Sequence, residues 1–301
     1  MRNHRLLRSA FTSLLAASAL TGLVPAAASA APAAPAEATA CDMPYDTRVV
    51  HRGAGTRLAA GESLTSPTGT TALAMQPDGN LVLHALGRPG GAKLPLWHSG
   101  TWGNPGAYAL MQEDGNFVVY KKDGGPDKGG ALWHTGTFGA TGTDRPALRL
   151  HADGNLEITG HYNLYGRWTS LTRQRSAMVC TPTGSVPYRD WLRGDFAETA
   201  TVWLMLQSDN NLVMYRKSDG QAVWSSGTWG GDKPVTLQMD ANGDLVVRQH
   251  YTYATLWHSN TEGSRGAYAL LQDDGNLVVY NKDGGPGKGG ALWHSGTGNK
   301  V

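Results

Sequence analysis

Gln112, Asp114, Asn116, Val118 and Tyr120 set a carboxylate, two amides, a phenol and one branched apolar side chain at alternate positions of a 301-residue chain. A carboxylate accepts hydrogen bonds, while amides and a phenol both accept and donate. Such a set can match several hydroxyl groups at once, and a packed core has no use for it. The pattern Q-x-D-x-N-x-V-x-Y returns at Gln207, Asp209, Asn211, Val213 and Tyr215, and again at Gln272, Asp274, Asn276, Val278 and Tyr280. Gln76, Asp78, Asn80 and Val82 form a fourth copy, a weaker one, with His84 where the phenol stands elsewhere. Alternate residues of an extended chain share a face, so each set is expected to project from one side of a strand. The ligand it suits is small and polyhydroxylated. A hydroxyl that found no match would leave a buried polar group unpaired, which is a source of selectivity.

Two further segments test whether the pattern is only a turn. His151, Asp153, Gly154, Asn155, Glu157 and Thr159 keep the turn and lose Gln, Val and Tyr; Asp240, Asn242, Gly243, Asp244, Val246 and Arg248 keep it and scramble the polar set. The hairpin therefore forms without Gln and Tyr, and the complete copies are read as binding sites. These two repeats are expected to be silent. Asp-Gly between alternating apolar runs is a hairpin signal, because glycine accepts positive φ. Asn210 replaces that glycine once, and asparagine is the next most tolerant residue.

Each copy ends in a tryptophan segment, at Trp97, Trp133, Trp168, Trp224, Trp257 and Trp293, usually followed by x-Ser/Thr-x-Thr. The motif Asn or its equivalent precedes the Trp by 17 residues in repeats one, two and six and by 13 in the others. The additional residues fall in glycine-rich loops such as Lys122–Pro126, where insertions leave strands undisturbed. Six tryptophans at equivalent places, decayed repeats included, are expected to fill the space where sheets meet. Trp102, Trp229 and Phe138 follow the Gly-Thr pair and are also read as packing residues, with an exposed stacking surface as the alternative. No amphipathic helical segment of useful length occurs, so the chain is expected to be all-β.

Residues 1–30 read as a signal peptide: Arg2, Arg5 and Arg8, an apolar run near Ala10–Val24, then Ala28-Ser29-Ala30. Residues 31–45 form an Ala/Pro-rich leader. No later segment approaches the length of a membrane span. The expected location is secreted and extracellular, without membrane insertion. Cleavage takes three of the 26 basic side chains and none of the 24 acidic ones, so the mature chain is near −1. That charge gives no case for nucleic acid. The motif spacing jumps to 56 residues between Asn155 and Asn211, which places a domain boundary at 175/176: one domain at 46–175, a second at 176–301, three repeats in each. Cys41 and Cys180 are the two cysteines, and an even count in an exported chain suggests a disulfide, with free thiols as the alternative. Such a bridge would be worth on the order of 5 kcal/mol in the chain-entropy model.

The motif, the Trp-terminated repeat and the three-repeat unit resemble the bulb-type, monocot mannose-binding lectins, here in a tandem, bacterial secreted form. The resemblance covers about Thr56 to Thr297. It implies two tandem β-prism II domains, each of three four-stranded antiparallel sheets with pseudo-threefold symmetry. It implies mannose-type glycans on cell surfaces or polysaccharides as partners, with Asp114 and Asn116 (and their equivalents) on the 2-hydroxyl, Gln112 on the 3-hydroxyl, Tyr120 on the 4-hydroxyl and Val118 against the ring. The family pairs strands or prisms between subunits, so a homodimer is among the implied partners. No cofactor, metal or catalysis is implied. A glycosidase needs two carboxylates across one bond, and each motif supplies one; G-x-S-x-G is absent. Asp240, Asn242 and Asp244 have the spacing of a calcium loop, but Leu245 and Tyr251 stand where glycine and a bidentate Glu are needed. Tandem prisms also resemble lectin-like bacteriocins, which use sugar sites to dock on and kill related bacteria. The chain ends four residues after Thr297, so no long C-terminal tail is expected.

Overall fold

A computed structural model describes residues 46–87, 91–139, 145–160, 167–180 and 190–301. The expected signal peptide, the leader and Cys41 lie outside the described residues. Among these, every regular element is a strand. Repeat two shows how the sequence builds one unit. Tyr108–Met111, Phe117–Gly125 and Gly129–His134 pair antiparallel, with Tyr108 opposite Tyr120 and Met111 opposite Phe117. The hairpin closes where the Gln112 N–H donates to the Asn116 carbonyl at 2.9 Å and the Gly115 N–H to the Gln112 carbonyl at 3.2 Å. Gly115 sits at φ 89° and Asn210, in the same place, at φ 78°, as the turn chemistry requires.

The remaining repeats fold the same way. Their hairpin strands are Thr71–Met75 with Leu81–Leu86 in repeat one, Ala147–His151 with Leu156–Thr159 in three, Val202–Leu206 with Leu212–Arg216 in four, Val235–Met239 with Leu245–Gln249 in five and Tyr268–Leu271 with Leu277–Gly285 in six. Three strands are not enough to close a sheet edge, and a fourth comes from the segment before each set of repeats. Val49–Gly53 joins repeat three, Arg57–Leu58 repeat two and Ser63–Thr65 repeat one. Met178–Cys180, Trp191–Leu192 and Asp195–Glu198 join repeats six, five and four in the same reversed order. The result is two sets of three antiparallel sheets, the architecture of tandem β-prisms. One sheet departs from four strands. Arg173–Gln174 pairs in parallel with Asp195–Glu198 and gives repeat four a fifth strand.

The tryptophans meet as expected. Trp97, Trp133 and Trp168 touch edge to face at 5.1, 5.4 and 5.7 Å, and Trp224, Trp257 and Trp293 at 5.3, 5.5 and 5.8 Å. Each triad carries one indole per sheet, so it fixes the threefold centre of its set. The described residues form a single compact unit, and the first core also takes in Phe196, Trp203 and Met205 from the second set of repeats. The packing expectation for the three aromatics after the Gly-Thr pair is overturned. Trp102, Phe138 and Trp229 are 60, 65 and 71% exposed, because the paired strands have already ended at His98, His134 and Ser225.

Trp133→Ala is expected to destabilise the fold by about 3–5 kcal/mol, and Trp102→Ala by less than about 0.5 kcal/mol. Denaturant unfolding of the two variants checks this contrast.

Candidate sugar-binding sites

The motif is not one extended strand, which corrects the simplest expectation from its spacing. Its first five residues are the turn. Only Asn116, Val118 and Tyr120 share a strand face; Gln112 arrives from the neighbouring strand, opposite Asn116. The hairpin thereby folds the set onto itself, and Gln112 Nε2 donates to Tyr120 Oη at 2.9 Å. The same bond recurs from Gln207 to Tyr215 at 2.7 Å and from Gln272 to Tyr280 at 2.9 Å. With its oxygen accepting from the amide, the phenol keeps its own O–H to donate, and the Gln carbonyl oxygen has no hydrogen bond among the described residues. Burial holds the Tyr120 and Tyr215 phenols above their ordinary pKa, so both remain donors at neutral pH.

Asp and Asn have a second duty that the sequence did not separate from the first. Asp114 Oδ1 accepts the Asn116 N–H at 2.9 Å, and the corresponding bond occurs in all six repeats, from 2.9 to 3.1 Å. Asn116 Oδ1 accepts from the Thr135 hydroxyl at 3.2 Å and the Thr137 N–H at 3.3 Å. Thr137 Oγ1 then donates to the Gly115 carbonyl at 2.6 Å. This latch joins D-x-N to the Ser/Thr-x-Thr after each Trp, and its last bond spans 2.6 to 2.9 Å across the six repeats. Among the described residues Asp Oδ2 and Asn Nδ2 take no hydrogen-bond partner in the complete copies. They are the atoms left for a ligand.

The strand register shows a component that motif spacing missed. Opposite Tyr120, Tyr215 and Tyr280 stand Tyr108, Trp203 and Tyr268. The decayed or altered copies have Ala72, Ala147 and Thr236 there. Tyr108 lies 5.8 Å from Tyr120 and Tyr268 lies 5.7 Å from Tyr280, ring centre to ring centre. Tyr108 Oη donates to the Gly124 carbonyl at 2.8 Å and Tyr268 Oη to that of Gly284 at 2.9 Å, which pulls the longer glycine loops of repeats two and six over these rings. The sequence signal was an aromatic residue four positions before the motif Gln.

In the copies that lack the set, other side chains occupy the positions. Arg248 and Asp240 form an ion pair in repeat five, where Gln238 Nε2 also donates to Asp240 at 2.8 Å. His151 Nε2 lies 2.9 Å from Glu157 Oε2 in repeat three. Asp240 is thereby committed away from the calcium-type spacing. One nearby group has ligand atoms within 4.8 Å of one another, Asp244, His258 and Glu262, but Asp244 Oδ1 already serves the latch through Ser259 at 2.8 Å and the Thr261 N–H at 3.0 Å. In repeat one His84 is buried, and burial, helped by Lys93, lowers its pKa to about 4. It is therefore a neutral ring at physiological pH.

No family model matches the chain. It is similar to mannose-specific lectin 2 of Colocasia esculenta, 33% identical over 93 residues, which is 31% of each chain. It is similar to mannose-specific lectin 1 of Crocus vernus at 30% identity over 145 residues, 44% of this chain and 54% of that one. The chain thus spans between about a third and a half of the length of these curated relatives. Among solved structures it is similar to a monomeric monocot mannose-binding lectin from Gastrodia elata, with 28% identity, 42% of this chain and 97% of that one covered, and a TM-score of 0.33. The two-domain, fetuin-binding agglutinin of Scilla campanulata covers 83% of this chain and all of its own, at 24% identity and a TM-score of 0.31.

His84 gives a signed pH effect. A histidine with a depressed folded pKa stabilises fully above its unfolded value near 6.5, and that contribution is lost as the pH falls toward 4. The stability difference between the wild type and His84→Gln is expected to be flat above pH 7 and to shrink between pH 6.5 and 4. Urea midpoints across that range read it directly.

Proposed function

We propose that the chain is an exported, multivalent lectin that binds mannose or mannose-containing glycans through the sites of repeats two, four and six, with repeat one a weaker fourth. The observation that carries this reading is the threefold recurrence of one constellation: a Gln–Tyr hydrogen bond beside an Asp Oδ2 and an Asn Nδ2 that have no hydrogen-bond partner among the described residues. A carboxylate beside an amide donor matches the dual character of a sugar hydroxyl. The similarity to mannose-specific lectins supports the choice of sugar. Each site is shallow and weak alone; several on one body can raise avidity by ~10²–10⁴ where the spacing of a glycan fits. Two lectin domains at 46–175 and 176–301, export through the N-terminal signal and a Cys41–Cys180 bridge belong to the same proposal. Cys180 is not a free thiol, which supports the bridge.

The test is the triple variant Asp114→Asn, Asp209→Asn and Asp274→Asn. Asparagine can still cap the turn, because Asn242 does so in repeat five at 3.1 Å, while the charge that strengthens a bond to a hydroxyl is gone. On a glycan array the variant is expected to lose mannose-type signals by more than ~10-fold, since a charge-assisted bond is worth about 1.5–3 kcal/mol at each site. Its thermal midpoint should stay near that of the wild type. Undiminished array signals in a folded variant would reject the assigned sites.

A further inference from the structure

A cleft of about 460 Å³ opens beside the repeat-two site, lined in part by Arg57, Tyr108, Lys122, Asp123 and Lys128. This volume is in the range of small-ligand pockets. Tyr108 lines it, and that ring's other neighbour is Tyr120 of the motif, so the cleft adjoins the proposed sugar site. The Arg57 guanidinium lies 4.0 Å above the centre of that ring. Stacking of this kind fixes the guanidinium plane and leaves its N–H edge open for a bidentate anion. Among the described residues Arg57, Lys122 and Lys128 form no ion pair. Among the lining residues three cations stand against the single carboxylate of Asp123, and Asp127 adjoins Lys128 in the same loop, so the cleft carries a smaller net excess of positive charge.

Repeat six is an internal control. It has the same motif, the same ring pair and the same K-D-G-G-P loop, with Asn281 and Gly287 where repeat two has Lys121 and Asp127 and with Lys288 matching Lys128, but Met178 stands opposite Leu270 where Arg57 stands opposite Leu110. Lys282 there is paired with Asp283 at 2.5 Å. The fold thus keeps the loop without the arginine. Arg57 in repeat two has no structural work that repeat six would not also require.

We infer that the cleft formed by Arg57, Lys122 and Lys128 is an anion subsite, and that the repeat-two site takes a mannose-type sugar bearing an acidic group such as a phosphate or carboxylate. This rests on the assignment of Tyr120 to the sugar's 4-hydroxyl. C6 is carried by C5, next to C4, so in this assignment its substituent is the one within reach of the Tyr108 side. The subsite divides the sites by ligand: repeat two for acidic glycans, repeat six for neutral ones.

The probes are mannose and mannose 6-phosphate, measured by calorimetry at low salt. One protein keeps only the repeat-two site (Asp78→Asn, Asp209→Asn, Asp274→Asn), and a second keeps only repeat six (Asp78→Asn, Asp114→Asn, Asp209→Asn). In the first, the phosphorylated sugar is expected to bind ~10-fold more tightly than mannose, as one added charge-assisted contact predicts, and the preference should fade at high salt. Adding Arg57→Gln and Lys128→Gln should abolish the preference and leave mannose binding within about twofold of its value. The second protein should show no preference. Equal binding of both sugars to the first protein, the same preference in the second, or a preference that survives the Arg57 and Lys128 changes would each overturn the subsite. Loss of mannose binding with retained, Arg57-dependent binding of the phosphorylated sugar would reject the neutral-sugar reading and leave the subsite standing.

Discussion

One side-chain oxygen per repeat organises the whole chain. Oδ1 of the motif asparagine (of Asp244 in repeat five) accepts from the Ser/Thr after each tryptophan, and in most repeats from the N–H of the next threonine as well. That oxygen is largely shielded from water, and leaving it unmet would cost about 1–3 kcal/mol. The bond ties the end of the third strand to the turn between the first two. The tryptophan two residues before the Ser/Thr is thereby fixed in position, and three such tryptophans close a set of sheets. Turn, latch and core are one mechanical unit.

The latch also creates the site. By consuming Oδ1 of both Asp114 and Asn116 it orients Oδ2 and Nδ2 outward at no added entropic cost. The ligand then meets groups that are already held. Preorganisation of this kind reduces the cost of binding. Gln112 and Tyr120 complete the set by bonding each other, and the aromatic ring opposite the phenol holds it from behind. Repeats three and five retain the latch and replace the remainder with the His151–Glu157 contact and the Arg248–Asp240 ion pair. In the proposed sites fold and binding are therefore separable at the level of single side chains: Asp and Asn would belong to both, Gln and Tyr to binding.

Much of this was legible in the sequence. The Asp-Gly-Asn turns, the alternation of apolar residues and the period of the tryptophans specify hairpins and their common centre. Asn210 was readable as a glycine substitute from its φ tolerance alone. Other features depend on geometry that one strand does not carry. Gln112 lies across the hairpin from Asn116, so a single-strand reading put it on the wrong element. Tyr108, Trp203 and Tyr268 become visible only once the register sets them opposite the motif tyrosines. The reversed dealing of Val49–Gly53, Arg57–Leu58 and Ser63–Thr65 to repeats three, two and one involves partners up to a hundred residues away, beyond any local pattern. Trp102, Phe138 and Trp229 were misjudged because hydrophobicity alone predicts burial, whereas their position past the end of a strand decides exposure.

The account's central claim is that hydroxyl groups of a hexose replace solvent at Asp Oδ2, Asn Nδ2 and the paired Gln and Tyr of three repeats. A crystal structure with methyl mannoside measures this directly. Sugar density is expected beside Tyr120, Tyr215 and Tyr280 and absent beside Thr159 and Arg248. Empty grooves at all three tyrosines, or equal occupancy at the ion-paired repeats, would contradict it.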